Sequence, residues 1–180
     1  MIAVPGNGAE EVTHLAAAMA QLGRRHVEVE TDDRSRGADA QEAPLRPEDQ
    51  KITVPIVSGL DIVTARRRGR TLAVRLGYSP TEATLIATAI SELARNIVLY
   101  AKRGDIWLAV ANDNGRRGVV VVARDKGPGI VDVPRAIAGG HSTSGGLGLG
   151  LSGVRRLMDE FEIISEPRKG TTVTIKRWKR

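Results

Sequence analysis

Two β-branched runs, 105–111 and 119–123, flank the segment Asn112-Asp-Asn-Gly115, and no other stretch restricts the fold as tightly. Asn-Gly between strand-like segments is the strongest short-range hairpin signal, because the tight turn that matches strand twist needs positive φ at both central residues. A second pair, Phe161–Ser165 and Thr171–Lys176, closes around Pro167-Arg-Lys-Gly170. Upstream, Lys51–Val57 alternates like a strand, and Pro55, which cannot donate to a ladder, puts it at a sheet edge. Helical periodicity fills the gaps. It runs over the arginine-rich stretch Asp61–Leu76 and roughly over Leu149–Glu160. The longest helix starts at Ser79-Pro-Thr-Glu82 and carries Leu85, Ile86, Ala89, Ile90, Leu93, Ile97 and Tyr100 on its apolar stripe. The order β, α, α, β, β, α, β, β groups strands in hairpins, which predicts an α/β (α+β) two-layer sandwich. Its sheet should be mixed and mainly antiparallel, with helices on one face.

The first 50 residues read differently. Asn7 to Gly23 has the spacing of one amphipathic helix, with Val12, Leu15, Ala16, Met19 and Leu22 on one stripe. Thr31 to Gln50 is polar, holds Pro44 and Pro47, and has too few large apolar residues for a core, which is linker composition. A boundary near Gln50 therefore separates an N-terminal extension, 1–50, from a folded domain, 51–180. The extension carries 5 Lys/Arg against 10 Asp/Glu, net −5, and the domain 22 against 11, net +11.

That basic body raises nucleic-acid binding as a reading, but only 3% of the residues are aromatic and the basic residues form no long run. An anionic ligand or an acidic partner surface fits at least as well. The absence of cysteine removes disulfides and thiolate chemistry, so a metal is expected to be held by oxygen. No apolar run is long enough to span a membrane and no secretory start is present, so a cytoplasmic protein without membrane association is expected.

Four short patterns can carry chemistry. Glu92 and Asn96 lie one turn apart on the longest helix and share a face; taken alone, the pair also fits a solvated polar face. Asp125-Lys-Gly127-Pro-Gly129 puts an acid at a strand end before two glycines, which reads either as a plain turn or as a carboxylate poised to accept from an exocyclic amino group. Gly145, Gly146, Leu147, Gly148, Leu149 and Gly150 run into a helix, where free N–H groups and the helix dipole suit phosphate oxygens. This cluster is not a dinucleotide fingerprint, because it follows a polar loop rather than a buried parallel strand. Gly170-Thr171 opens the last strand and by itself is only a hairpin turn.

Read in order, Glu92-Leu-Ala-Arg-Asn96, Asp125-x-Gly-x-Gly129, Gly146-Leu-Gly-Leu-Gly150 and Gly170-Thr171 resemble the motif boxes of the GHKL, or Bergerat-fold, ATPase and kinase superfamily. The resemblance covers nearly all of 51–180. Within the superfamily, Ile90–Ile97, Asp125–Ile130 and Gly146–Ile163 look closest to the RsbT-type serine/threonine switch kinases, the anti-sigma regulatory kinases of bacterial stress signalling.

The resemblance implies ATP and Mg²⁺ as cofactors. Asn96 would give its side-chain oxygen to Mg²⁺, and Glu92 would orient or deprotonate the attacking hydroxyl. Asp125 would take the adenine amino group with Thr171 beside it, Gly127 and Gly129 would admit the base, and Gly145–Gly150 would cover the phosphates. The implied acceptor is a serine or threonine of a STAS-domain protein, with a phosphatase or a sigma factor as a further partner. The alternative reading is an anti-sigma factor, or another module that sequesters a partner and uses ATP as a regulatory ligand. Residues 1–50 have no counterpart in the resemblance. His14 and His26 sit in no dimerising helical hairpin, which argues against a self-phosphorylating histidine kinase.

Overall fold

The computed structural model describes residues 51–113, 115–138 and 150–180. The expected N-terminal helix, the linker and the glycines of 145–149 lie outside the described residues. Chain order is β1 (Lys51–Ile56), α1 (Gly59–Arg75), α2 (Pro80–Asn96), a π turn (Ile97–Ala101), β2 (Gly104–Asp113) and β3 (Arg116–Asp125). It continues with α3 (Val133–Ala138), α4 (Gly150–Leu157), β4 (Glu160–Glu166) and β5 (Gly170–Trp178).

The strands form one sheet in the order β1-β2-β3-β5-β4, and every neighbouring pair runs antiparallel. The mainly antiparallel sheet expected from sequence is present, and no parallel pair occurs among the described strands. The reason is topological. After β3 the chain crosses over through helices and returns as β4 in the same direction as β3, but β5 folds back between them and pairs with both. The parallel relation exists, and an intervening strand keeps it from becoming a ladder. β1 and β4 are the edge strands, so Pro55 stands where a missing N–H costs no interior ladder bond.

Period-two alternation sends Ile106 and Leu108 of β2, Val119, Val121 and Ala123 of β3, and Val173 and Ile175 of β5 into one core with Leu72, Ile86, Ile90, Leu93 and Ile97. Each such fully buried aliphatic contributes about 1.5–3 kcal/mol. α1 packs against α2, and α2 against α4. The approach of α1 to α2 is close enough that a Cβ on Gly69 would sit 2.0 Å from Ile90 Cδ1.

Helix α2 begins in a capping box: Ser79 Oγ accepts from Glu82 N–H, and Glu82 accepts in return from Ser79 N–H at 3.1 Å. Just before it, the buried Tyr78 hydroxyl donates to the Arg177 carbonyl, tying the α1–α2 connection to β5.

Two elements depart from the periodicity. The long helix does not run on as α-helix through Tyr100; it widens into the π turn, whose broader turn rotates the following side chains out of phase. Ile97 stays buried, whereas Tyr100, expected on the apolar stripe, is 56% exposed. Helix α3 was not foreseen, although Asp132 Oδ1 accepts from Arg135 N–H and Pro134 stands in the first turn, the usual markers of a helix start.

Candidate active site

Asn96 is the last residue of α2, where the α-helix gives way to the π turn. Its side chain caps nothing and makes no hydrogen bond among the described residues, so its amide oxygen is uncommitted. Glu92, one turn earlier, is buried at 7% exposure and so does not lie on a solvated polar face. Its Oε1 accepts from Arg95 Nη1 at 2.6 Å, which leaves Oε2 without a partner among the described residues. Arg95 sits three residues after Glu92, the spacing that lets helical side chains meet, and it supplies the countercharge a buried carboxylate requires.

The π turn determines what happens next. It carries Ala101 against the loop that follows β3, so that a Cβ on Gly127 would lie 2.6 Å from Ala101 Cβ. Gly129 has φ +71, and a Cβ there would come within 2.1 Å of the Glu166 carbonyl oxygen. Gly170 has φ +99, and its Cβ would meet the Asp125 carbonyl oxygen at 2.1 Å. These glycines let three pieces of backbone press together: the π turn, the loop Asp125–Ile130, and the β4–β5 connection. The Arg168 N–H adds a bond to the Pro128 carbonyl at 2.7 Å.

Asp125 closes β3 and stands at the centre of that contact. Its Oδ1 accepts from Gly127 N–H at 2.8 Å and from Thr171 N–H at 3.3 Å. Oδ2 has no partner among the described residues. A carboxylate with one oxygen fixed by backbone and the other open is a rigid acceptor, suited to the amino group of a planar base. Thr171 lies opposite Ser165 in the β4–β5 register, and their hydroxyls are 2.9 Å apart. Ser165 Oγ also accepts from Ile130 N–H at 2.8 Å and stands 3.2 Å from the Gly170 carbonyl.

Of the residues expected from sequence, the structure gathers Asp125, Gly127, Gly129 and Thr171 into one cluster and places Glu92 and Asn96 together at the end of α2. Gly150 opens α4, and Gly145, Gly146, Leu147, Gly148 and Leu149 lie outside the described residues. Three contributors were missed: Arg95, Ala101 and Ser165. Arg95 carried a signal, its i,i+3 spacing from Glu92. Ser165 carried none until β4 and β5 were paired. Among the described residues no group of three or more His, Cys, Asp or Glu could hold a metal.

Residues 81–180 match the family described as histidine kinase-, DNA gyrase B-, and HSP90-like ATPase. The serine/threonine-protein kinase RsbT of Bacillus subtilis (strain 168) is 48% identical over 127 residues, 71% of this chain and 96% of that relative. The anti-sigma F factor of Halalkalibacterium halodurans is 32% identical over 103 residues, 53% of this chain and 69% of that relative. Among solved structures, a chain from the SiaB-SiaC complex of Pseudomonas aeruginosa superposes with a TM-score of 0.44 at 17% identity, over 72% of this chain and 89% of that one.

Proposed function

Because the chain belongs to the histidine kinase-, DNA gyrase B- and HSP90-like ATPase family, we propose that it is an ATP-dependent serine/threonine protein kinase of the RsbT type, acting on a partner protein. The reading is carried by 48% identity across nearly the whole length of an RsbT kinase. The geometry is consistent with it. Asp125 Oδ2 and the Thr171 hydroxyl would take the base, and the glycines of 145–150 would cover the phosphates.

The Asn96 oxygen, without a hydrogen bond among the described residues, fits a hard cation, and Mg²⁺ held there would supply charge that neutralises the phosphates. Glu92, its carboxylate anchored through Oε1 by Arg95, would align the acceptor hydroxyl through Oε2. The acceptor in this reading is a serine or threonine of a STAS-domain protein, with a regulatory phosphatase as a second partner. Residues 1–50 would form a separate acidic extension before the kinase domain 51–180, and no described helix is long and apolar enough to cross a membrane.

Incubation of the full chain with labelled ATP, Mg²⁺ and a STAS protein encoded nearby should label a seryl or threonyl residue. Absence of transfer to every such protein would overturn the kinase reading. The similarity to anti-sigma F factors favours one second reading, sequestration of a sigma factor with ATP as a regulatory ligand. Co-purification with a sigma factor, and retention of that complex in an Asn96→Ala variant that cannot transfer phosphate, would select it.

A further inference from the structure

The π turn gives up burial that its sequence offers. Helical spacing would carry Tyr100 along the apolar stripe of α2, yet the wider turn leaves Tyr100 56% and Leu99 41% exposed while Ile97 stays in the core. A lone exposed leucine is ordinary on any protein surface, but a tyrosine exposed next to it has the composition of an interface core. Cations flank the two in the chain. Lys102, in the left-handed region at φ 68, donates from Nζ to the Leu99 carbonyl at 3.2 Å, so its ammonium lies against the turn. Arg103 is exposed, and Arg95, on the last turn of α2, is partly exposed with Nη1 on Glu92. The turn also stands between the two halves of the candidate site. Asn96 immediately precedes it, and Ala101 at its end is the residue that a Cβ on Gly127 would strike at 2.6 Å.

We propose that Leu99 and Tyr100, with Lys102, Arg103 and Arg95 beside them, are a docking surface for the acceptor protein, which presents to it an apolar side chain flanked by carboxylates. An acceptor hydroxyl has to reach Glu92 and Asn96, so the protein carrying it covers the surface next to that pair. Leu99 begins that surface three residues beyond Asn96. Tyrosine suits the task, because it buries a large ring at little entropic cost and keeps a polar tip for the rim. The cations select the occupant. A second copy of this chain, meeting the turn across a two-fold axis, would bring like charges together, whereas carboxylates on a partner are attracted and fix its register. The inference rests on the kinase reading of the site and adds where the acceptor sits.

Steady-state transfer from labelled ATP and Mg²⁺ to a STAS protein encoded nearby, with the full chain as enzyme, tests it. Tyr100→Ser should raise KM for that acceptor about thirtyfold, the scale of truncating a hot-spot aromatic. At saturating acceptor kcat should stay within about twofold, and so should ATP affinity in titration, because only uniform binding is removed. Arg103→Glu should raise the same KM about tenfold at low salt, with the difference from wild type shrinking as salt is added. Should Tyr100→Ser fail to fold by circular dichroism, Arg103→Glu carries the test alone. An unchanged KM in the folded variants overturns the docking surface and leaves the kinase reading standing. So does a loss confined to ATP affinity, which would make the turn part of the nucleotide site, or a wild-type dimer that Tyr100→Ser dissociates in sedimentation, which would make the occupant a second copy. If the unmodified chain transfers phosphate to no such protein, the kinase reading falls and the docking surface with it.

Discussion

The two ends of the candidate site are built on opposite plans. At the base end, Asp125, Thr171, Ser165 and Ile130 come from three separate stretches of chain and are locked by hydrogen bonds spanning 35 and 46 residues of sequence. At the other end, Glu92 and Asn96 sit on a single helix, with one local ion pair and one uncommitted amide. The first is preorganised by the fold and doubles as a tertiary fastener. The second is presented by the fold but held by little of its own, as would suit groups whose proposed partners are a cation and an incoming hydroxyl. Damage at the base end should therefore register as stability and affinity, and damage at the α2 end as turnover.

The sharpest test of that division is Asn96→Ala. Transfer should fall by about a thousandfold, the scale of removing an electrostatic stabiliser of the transition state, while the thermal midpoint moves by less than about 3 °C because no side-chain hydrogen bond among the described residues is lost. A large drop in midpoint would erase the contrast. Next in size is Gly170→Ala, where the added Cβ would meet the Asp125 carbonyl at 2.1 Å and the backbone stays at φ +99. A loss of about 3 kcal/mol is expected in chemical denaturation.

Asp125→Asn should weaken ATP by about thirtyfold in titration, about 2 kcal/mol for a charge-assisted bond replaced by a neutral one. Wild-type affinity in that variant would remove Asp125 from base recognition.

The smallest effect belongs to Ser79→Ala, which loosens the start of the helix carrying Asn96 without touching the base cluster. About 1 kcal/mol of stability should go, with ATP affinity unchanged. The same cap sets a pH dependence. Hydrogen bonds from the Ser79 hydroxyl and then the Ser79 N–H hold the Glu82 carboxyl below its ordinary 4.5. The folded value lies below the unfolded one, so the cap's contribution is present above about pH 4.5 and fades as pH falls through the folded value. Thermal melts of wild type and Ser79→Ala should converge as acid is added.

Hairpins and the long helix could be read from sequence because their causes are local: β-branched runs around Asn-Gly, and Ser79-Pro80 before an apolar stripe. The polar half of the site was legible as residue types in order, since Glu92, Asn96, Asp125 and Thr171 carry their chemistry with them. What escaped was what depends on pairing and phase. Ser165 looks like any alternating strand residue until register sets it opposite Thr171. Tyr100 left the core because a π turn has no simple residue signature. The antiparallel sheet differed from a mixed one through a single insertion, β5 between β3 and β4, and strand order is not written in local pattern.

That insertion has a consequence for how the molecule is made. Strand β5 comes later in the chain than either neighbour, yet it occupies the interior of the sheet and carries Thr171. A chain synthesised from its N-terminus exposes one edge of β3 and both edges of β4 until Gly170–Trp178 emerges, so the sheet cannot close cotranslationally before then. Docking of Gly170–Trp178 between β3 and β4, rather than assembly of the helices, is the step that completes the sheet and brings Thr171 to Asp125.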